Sequence, residues 1–266
     1  MSVIWNKNGT LEYLTAEGIC APHCFTTRLG GVSTGCLSSL NLGLHRGDNP
    51  KNVEQNFQIL ADAIGFDPMK LVLTRQTHSD LVRPVDDTDW GVYMVDGASP
   101  ECDGLVTNTP GTALVVFTAD CTPILLWDPV TGAVGAAHAG WRGTAMGIAA
   151  KTAEAMIREF GCCAKDIRAA IGPNIGSCCF ETDRDVPDAM VAALGAAAKS
   201  FIRSQGSKYY VNLKELNALW LRRLGVEHIE VSDACTVCQS DVFWSHRVTK
   251  GLRGSQGAII VCKEVG

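Results

Sequence analysis

The sequence predicts an α+β fold, a single domain with a mixed, largely antiparallel β-sheet core flanked by helices. Two observations support this class. Apolar runs of strand length outnumber the helical patterns and do not alternate strictly with them, as a doubly wound fold would require. The runs between residues 104 and 138 also follow one another without a helix, which predicts that they are antiparallel neighbours. No repeat or Pro/Ser-rich linker interrupts the chain, so residues 1–266 are expected to form one domain.

Four segments combine apolar residues at helical spacing with recognisable helix ends. Asn49 is placed as an N-cap before a proline, and Glu215 lies three residues after Asn212, in the position of a capping box. The predicted helices cover residues 50–64, the residues between Gly143 and Gly161, residues 185–194, and the segment after Asn212. The predicted strands cover residues 71–74, 81–85, 105–107, 113–118, 124–127, 133–138, 167–171, 229–231 and 258–261.

The composition excludes several classes of protein. The chain has 266 residues, of which 46% are hydrophobic and 19% charged, as in ordinary globular domains. Its 23 Lys and Arg against 28 Asp and Glu give a net charge of −5, which argues against nucleic acid or an anionic membrane as the main partner. No apolar run reaches the roughly 18 residues of a membrane span, and the first residues lack the layout of a signal peptide. We therefore expect a cytoplasmic protein whose 12 cysteines are reduced.

Three predicted strands end in a histidine or a cysteine, and we expect the chemistry there. His78, Cys121 and His138 each lie at or just after the end of such a strand. Imidazole nitrogen and thiolate sulfur are ligands that zinc prefers, and a catalytic zinc has three protein ligands and one open position. One interpretation is therefore a metal site. The other is a buried structural cysteine with one core and one helix-capping histidine.

Two glycine-rich segments are candidates for substrate contacts. In 138–144, glycines before a helix let backbone N–H groups face an anion, and Arg142 offers a bidentate contact to phosphate. A tight turn in which Trp141 only packs explains the same residues equally well. The segment at 26–33 is either a lid whose Arg28 reaches a substrate together with Asn41, or an ordinary surface loop.

The other cysteines give weaker signals. Cys235 and Cys238 have the spacing of a redox or zinc motif, but no second pair at zinc-ribbon spacing accompanies them. The adjacent cysteines at 162–163 and at 178–179 cannot readily form a disulfide within each pair. We interpret these thiols as mostly structural.

Seven blocks between about residue 25 and residue 261 carry a distinctive pattern. They read TTRLGGVS…SLNLGLHRGD, RQTH, CDGLVT, TADCTPILLWDP, AAHAGWRGT, AAIGPNIGSCCFE and DACT…FWSHR. Together they resemble the YfiH-like family, also called laccase-domain or multicopper polyphenol oxidase-type proteins. TADC followed by HAGWRG is highly specific, and the resemblance implies the YfiH-like fold over nearly the whole chain.

The resemblance also implies a function. The family's metal triad falls on His78, Cys121 and His138, which are expected to bind zinc and to be the catalytic residues. Members are described as purine nucleoside enzymes that convert adenosine, inosine or methylthioadenosine with phosphate to the base and ribose-1-phosphate, and that also deaminate adenosine. The implied partners are a small purine nucleoside and phosphate. Some bacterial members have a second proposed role, the editing of cell-wall precursors in which serine has replaced alanine.

Substrate contacts are implied less strongly than the metal site. Residues that match polar positions of the family's pocket are Arg28, Asn41, Gln76 and Arg142. Positions at which the family commonly has arginine, and this chain does not, are Phe57, Val248 and Ser255. These differences concern anion and substrate contacts and leave the metal ligands unchanged.

The oxidase name of the family is a poor guide to this chain's chemistry. Multicopper oxidases hold several copper ions with many histidines, mostly in His-x-His pairs, whereas this chain has six histidines and no such pair. Copper can substitute for zinc at a His/Cys site by raw affinity, but these ligands do not suffice for a copper cluster. We therefore expect no laccase activity as the principal function.

Two other functions use the same residues. In the first, Cys121 is a nucleophile with His78 or His138 as its base, which gives a cysteine hydrolase or amidase suited to precursor editing. In the second, the protein is no enzyme, and the triad is part of a closed four-ligand zinc site completed by Cys179. In the preferred zinc enzyme, Asp103 and Asp120 are candidates for orienting a ligand or handling a proton.

Overall fold

Two six-stranded β-sheets form the centre of the fold in the computed structural model, which describes residues 3–91 and 101–263. The strands are β1 (Val3–Asn8), β2 (Leu11–Ala16), β3 (His23–Thr26), β4 (Leu71–Leu73), β5 (Val82–Pro84), β6 (Gly104–Thr107), β7 (Ala113–Thr118), β8 (Thr122–Trp127), β9 (Val134–Ala139), β10 (Arg168–Ile171), β11 (Glu181–Thr182), β12 (Ile202–Gln205), β13 (Lys208–Val211), β14 (His228–Val231) and β15 (Gln256–Val261). The helices are α1 (Pro50–Ile64), α2 (Trp141–Ala145), α3 (Ile148–Phe160), α4 (Asp185–Leu194), α5 (Leu213–Leu224) and α6 (His246–Thr249).

Most strand pairs are antiparallel. The first sheet has the order β1-β2-β3-β15-β7-β4, and only its edge pair β7/β4 is parallel. The second sheet has the order β14-β10-β8-β9-β6-β5, with parallel pairs only at its two edges. Strands β11, β13 and β12 form a small third sheet. The predicted α+β class with a mixed, largely antiparallel core is confirmed.

The two large sheets share an apolar core. Leu114 and Val116 of β7 belong to the same buried cluster as Leu125 of β8 and Ala136 of β9, and all four are fully buried. Strand β7 lies in the first sheet, and β8 and β9 lie in the second. The core therefore holds together the strands whose ends carry the candidate site.

Helices cover the outer faces of both sheets. On the first sheet, α1 buries Phe57 and Leu60 in one cluster with strands β4, β7 and β15. Asn49 caps this helix by accepting a hydrogen bond from the backbone of Lys51, and Gly65 ends it with a φ of 85°. Helices α3 and α5 cover the second sheet in the same way. All four predicted helices are present, and within residues 3–91 and 101–263 no helix is long and apolar enough to cross a membrane.

One prediction about strand pairing is wrong. The run at 113–118 was expected to pair with its sequence neighbours, but β7 pairs with β15 and β4 in the first sheet, while β6, β8 and β9 pair in the second. The chain changes sheet in the short turn between β7 and β8, where Asp120 has a φ of 87°. Strands β1–β3 and β11–β13 are absent from the sequence prediction, because several of them are half-exposed and lack a continuous apolar run.

Candidate metal centre

A cavity of about 410 Å³ opens where the ends of β4, β7 and β9 meet. Apolar residues and several cationic side chains form its wall. The lining residues are Gly43, Leu44, His45, Arg46, Leu73, Thr74, Arg75, Gln76, His78, Phe117, Thr118, Ala119, Cys121, His138, Arg253 and Ser255. The wall of the cavity thus has an apolar part and a cationic part, and it includes the predicted metal triad.

The structure brings His78, Cys121 and His138 together. Their ligand atoms all lie within 4.8 Å of one another, and Nε2 of His78 is 3.8 Å from Sγ of Cys121. The two imidazole rings meet edge to face with their centroids 4.9 Å apart. In a tetrahedral zinc site, bonds of 2.3 Å to sulfur and 2.0–2.1 Å to nitrogen put these two atoms about 3.5 Å apart. The donor set and its spacing therefore fit a zinc ion.

Asp103 orients both histidines. Its carboxylate lies 2.7 Å from Nδ1 of His138, which leaves Nε2 of that ring for a metal. The same carboxylate accepts hydrogen bonds from the backbone N–H groups of Thr77, His78 and Ser79 and from the Ser79 hydroxyl. The carboxylate is fully buried. A histidine held by a buried carboxylate is the usual surrounding of a zinc ligand.

The backbone at the site is held in uncommon conformations. His78 has a φ of 60°, and Asp120, next to Cys121, has a φ of 87°. L-residues with side chains seldom adopt this region, and it is found preferentially at functional sites. Gly140 has a different reason to be glycine: a Cβ there would lie 2.6 Å from Cδ2 of His78 and 3.4 Å from Sγ of Cys121. The glycine lets the β9–α2 connection pass close to the His78 ring.

The charges around Cys121 favour the thiolate. Burial by itself raises the pKa of this thiol, but the charge and hydrogen bonding of His138, together with His78, lower the pKa below its ordinary value. Burial also acts on His138, yet the Cys121 charge and the Asp103 hydrogen bond raise the pKa of this imidazole overall. Burial by itself raises the pKa of the Asp103 carboxyl. Its hydrogen bonds with His138 and Ser79 outweigh burial and lower this pKa to about 2. Thiolate is the form of cysteine that binds metals.

The triad has three ligands in the described part of the chain. No fourth histidine, cysteine or carboxylate of residues 3–91 and 101–263 joins the group. Cys179 belongs to a different cysteine group, so it does not complete a closed site around the triad. Asp120 also points elsewhere, since its carboxylate accepts hydrogen bonds from the Thr236 hydroxyl and the Arg247 backbone, each at 2.6 Å. Three ligands at the wall of a cavity is the arrangement of a catalytic zinc site.

Of the predicted substrate contacts, Gln76 alone is among the residues that line the cavity. Its side-chain amide makes two hydrogen bonds to the backbone of Phe117, at 2.6 and 2.7 Å. Asn41 is fully buried beside the cavity, where it accepts hydrogen bonds from the backbone of Gly43 and Ser255. Gln76 therefore lines the cavity and fixes Phe117, whereas Asn41 supports the wall from behind.

The two predicted arginine contacts lie outside the lining of the cavity. Arg28 donates to the carbonyls of Ser38 and Ser240 and stacks 4.0 Å above the ring of Trp244. Arg142 is exposed and stacks on Trp141. Helix α2 is only five residues long, and it begins without a side-chain cap. Strand β9 thus passes through Gly140 directly into the short helix α2, and Arg142 lies on the exposed surface of this helix.

Other polar groups of the cavity were missed by the sequence analysis. The hydroxyls of Thr74 and Thr118 and Nε of Arg253 are buried, and they have no hydrogen-bond partner among the residues that the structure describes. Burial lowers the pKa of Arg253 to about 10, and the neighbouring charge of Arg46 acts in the same direction. Buried polar groups are normally paired, so these three unpaired atoms are exceptions that cluster in the wall of the cavity. An isolated threonine or arginine carries no such signal in the sequence.

Ser255, one of the positions without the family's arginine, also lines the cavity. The two other such positions do not. Phe57 lies on the buried face of α1, in the core, and Val248 is exposed on α6. Only one of the three differences therefore bears directly on the cavity.

Comparisons with known proteins identify the family of the chain. The sequence model of the family described as "Multi-copper polyphenol oxidoreductase laccase" matches residues 22–263. "Purine nucleoside phosphorylase YlmD" of Geobacillus stearothermophilus is 38% identical over 244 residues, 90% of this chain and 89% of that protein. "Purine nucleoside phosphorylase YfiH" of Escherichia coli K12 is 38% identical over 234 residues, 88% of this chain and 90% of that one.

A solved structure has the same fold. The crystal structure of YlmD from Geobacillus stearothermophilus has a TM-score of 0.92 and 36% sequence identity, and the match covers 98% of this chain and all of that one. The sequence and the fold agree over nearly the whole length. The chain therefore belongs to the YfiH-like, laccase-domain family.

Proposed function

We propose that the protein is a zinc-dependent purine nucleoside enzyme. It cleaves adenosine or inosine with phosphate to the base and ribose-1-phosphate, cleaves methylthioadenosine to adenine and methylthioribose-1-phosphate, and also deaminates adenosine. The proposal rests on one observation: His78, Cys121 and His138 form a three-ligand group in the wall of a cavity that has both apolar and cationic residues. The names of the relatives, purine nucleoside phosphorylases, supply the class of substrate.

The metal site uses the chain's own residues to hold and orient the ion. His78 and His138 contribute imidazole nitrogens and Cys121 contributes a thiolate, while Asp103 fixes the ring of His138 through Nδ1. When bound, a zinc ion supplies Lewis acidity and lowers the pKa of water to about 7. Copper at the same ligands is the expected substitute.

The remaining cavity residues fit the parts of a nucleoside. Leu44, Leu73 and Phe117 offer an apolar wall for the purine ring, and the unpaired hydroxyls of Thr74 and Thr118 offer partners for ribose hydroxyls. These placements use the groups that the described residues leave unpaired. Apolar walls with a few convergent polar groups are typical of small-molecule sites.

Phosphate fits the cationic side of the cavity. Arg46 and Arg253 both line this side, and the charge of Arg46 adds to burial in lowering the pKa of Arg253. A phosphate held between these arginines is positioned to attack C1′ of the ribose. One phosphate oxygen forms the bond to C1′, and the bond from C1′ to the purine nitrogen breaks. The electron pair of the broken bond stays with the base, which takes up a proton.

The four polar residues inferred from the resemblance have two kinds of proposed role. Gln76 and Asn41 position the cavity wall through Phe117 and Ser255. Arg28 and Arg142 contact substrate only if their side chains leave Trp244 and Trp141. We therefore propose Arg253 as the main phosphate contact.

A second candidate function has one observation in its favour. The lowered pKa of Cys121 and the raised pKa of His138 describe a thiolate–imidazolium pair, as found in cysteine hydrolases. An amidase that edits cell-wall precursors would use Cys121 as the nucleophile. Such an enzyme forms a covalent adduct at Cys121 and works without metal, whereas the zinc enzyme requires the ion.

The experiment that tests the proposal is a product analysis. Purified protein, reconstituted with zinc after chelator treatment, is incubated with inosine, adenosine or methylthioadenosine, each with and without phosphate, and the products are separated by chromatography. We expect the base and the matching sugar 1-phosphate (ribose-1-phosphate, or methylthioribose-1-phosphate from methylthioadenosine) only when phosphate is present, and inosine from adenosine in either case. His78→Ala is expected to abolish both reactions. Absence of turnover on all three nucleosides by the zinc-loaded protein would contradict the proposal.

A further inference from the structure

A second group of metal-binding side chains lies outside the catalytic triad. The sulfur atoms of Cys178, Cys179, Cys235 and Cys238 all lie within 4.8 Å of one another, and none of the four is in a disulfide. We call these residues the four-cysteine cluster. It shares no residue with the triad, and the nucleoside chemistry proposed above does not use it.

Two loops that are distant in sequence build the four-cysteine cluster. The loop after β10 turns tightly, with the N–H groups of Cys179 and Phe180 donating to the carbonyl of Gly176. The loop after β14 runs beside it through a parallel bridge between Asn174 and Cys235. This pairing fixes Cys235 beside the loop that carries Cys178 and Cys179. The convergence is therefore a property of the fold and not of a single flexible loop.

The sulfur positions fit a tetrahedral zinc ion. Sγ of Cys238 is 3.6 Å from Sγ of Cys178 and 3.4 Å from Sγ of Cys179. Zinc–sulfur bonds of 2.3 Å at tetrahedral angles place sulfur atoms about 3.8 Å apart. A disulfide needs a sulfur–sulfur distance of about 2.05 Å, whereas a single ion at the centre binds all four sulfurs at once. Coordination is thus the arrangement that accounts for all four side chains.

The surroundings suit the charge of a metal–thiolate centre. The backbone N–H of Gly176 donates to the sulfur of Cys235 at 3.2 Å. The buried ammonium of Lys214 donates to the carbonyls of Ser232 and Ala234, in the loop that also carries Cys235. Four thiolates around Zn²⁺ carry a net charge of about −2, which such donors and a nearby cation stabilise.

Gly176 makes room for the cluster. A Cβ at this position would lie 3.1 Å from Sγ of Cys178 and 3.4 Å from Sγ of Cys235. Glycine therefore lets the first loop approach both sulfur atoms. The close approach of backbone to sulfur is the packing expected around a structural zinc ion.

We propose that Cys178, Cys179, Cys235 and Cys238 bind a structural zinc ion that joins these two loops. The joined loops lie behind the turn between β7 and β8, which carries Cys121. Thr236, next to Cys235, donates to the carboxylate of Asp120, and Arg247 bonds both to this carboxylate and to the carbonyl of Cys179. Asp120 precedes the ligand Cys121. The second metal thus stabilises the backbone that presents the first metal's cysteine ligand.

The test is a count of bound zinc in matched variants. Chelator-treated protein is reduced, reloaded with zinc, dialysed and analysed for metal. We expect about two zinc ions per chain in the unmodified protein and about one in either Cys238→Ser or His78→Ala. Cys36→Ser removes a different exposed thiol and is the matched control, with zinc content unchanged. Equal zinc content in Cys238→Ser and the unmodified protein would overturn the proposal.

A second measurement does not depend on the folding of a cysteine variant in the cluster. X-ray absorption at the zinc edge is recorded on His78→Ala/Cys121→Ser, in which the four-cysteine cluster is intact. We expect a shell of four sulfur ligands at about 2.3 Å. A shell of nitrogen and oxygen ligands, or a protein without zinc and with an intact mass that shows a disulfide, would overturn the assignment.

Discussion

Asp103 and His138 form the central contact of the candidate site, with 2.7 Å between a carboxylate oxygen and Nδ1 of the ring. The same carboxylate accepts the backbone N–H of His78 at 3.1 Å. One buried acid therefore fixes two of the three proposed metal ligands. It does so although the three residues come from different parts of the chain.

Asp103→Asn is expected to weaken zinc binding. The substitution keeps the shape but removes the charge that orients the ring of His138, and loss of such a contact typically costs about 10- to 100-fold in metal affinity. Competition with a chromogenic chelator measures this affinity. Asp87→Asn, at an exposed position, is the control and should leave it unchanged. Equal affinity in Asp103→Asn and the unmodified protein would show that Asp103 does not support the ligand.

Metal-free protein is expected to show an unusually acidic Cys121. Burial raises the pKa of this thiol, but His138 and His78 lower it overall, so the thiolate persists at pH values where a free cysteine is protonated. Alkylation of Cys121 by iodoacetamide, followed by mass spectrometry across a pH series, measures the thiolate fraction. The rate should fall as the pH drops, with a midpoint below about 8.5, the value of free cysteine. Zinc should protect the residue, and a midpoint at or above the free-cysteine value would refute the electrostatic description.

Gly140→Ala is expected to disturb the site through His78. The new Cβ would lie 2.6 Å from Cδ2 of the ring, so the ring must move and zinc affinity must fall. The control is a double-mutant cycle with His78→Ala, read by denaturant unfolding. The destabilisation caused by Gly140→Ala should largely disappear when the ring is absent. If Gly140→Ala lowered the free energy of unfolding equally with and without the His78 ring, the strain would not come from contact with this ring.

Arg253→Gln is expected to raise the KM for phosphate. Loss of a hydrogen bond to a charged group costs about 1.5–3 kcal/mol, which corresponds to roughly 10- to 100-fold in binding. Deamination of adenosine needs no phosphate and should keep its KM for adenosine. Arg142→Gln tests the contact inferred from the sequence, and we expect a smaller effect because Arg142 lies outside the cavity lining. A larger effect at Arg142 would reverse this assignment.

The sequence predicted the elements that have local signals. The caps at Asn49 and Asn212 and the stops at Gly65 and Gly161 fall at the ends of helices in the structure. The half-exposed strands at the N-terminus have no such signal and were missed. The position of β7 in the other sheet depends on the turn before Cys121, which a pattern of apolar runs does not encode.

The candidate site was likewise predicted only where its residues carry a signal in the sequence. His78, Cys121 and His138 follow strand ends and match a specific family pattern, and the structure brings them together. Asp103 was among the candidates for orienting a ligand, but its contact with His138, and the place of Arg253 in the cavity, depend on which side chains meet in three dimensions. The four-cysteine cluster joins an adjacent pair with a Cys-x-x-Cys pair from a distant loop, a combination that zinc-ribbon spacing does not include.

Anomalous diffraction at the zinc edge from crystals of the zinc-loaded protein tests the central claim most directly. The account predicts a peak about 2.0–2.3 Å from an imidazole nitrogen of His78, from Nε2 of His138 and from Sγ of Cys121. Zinc-loaded crystals without anomalous density among these three side chains would contradict it.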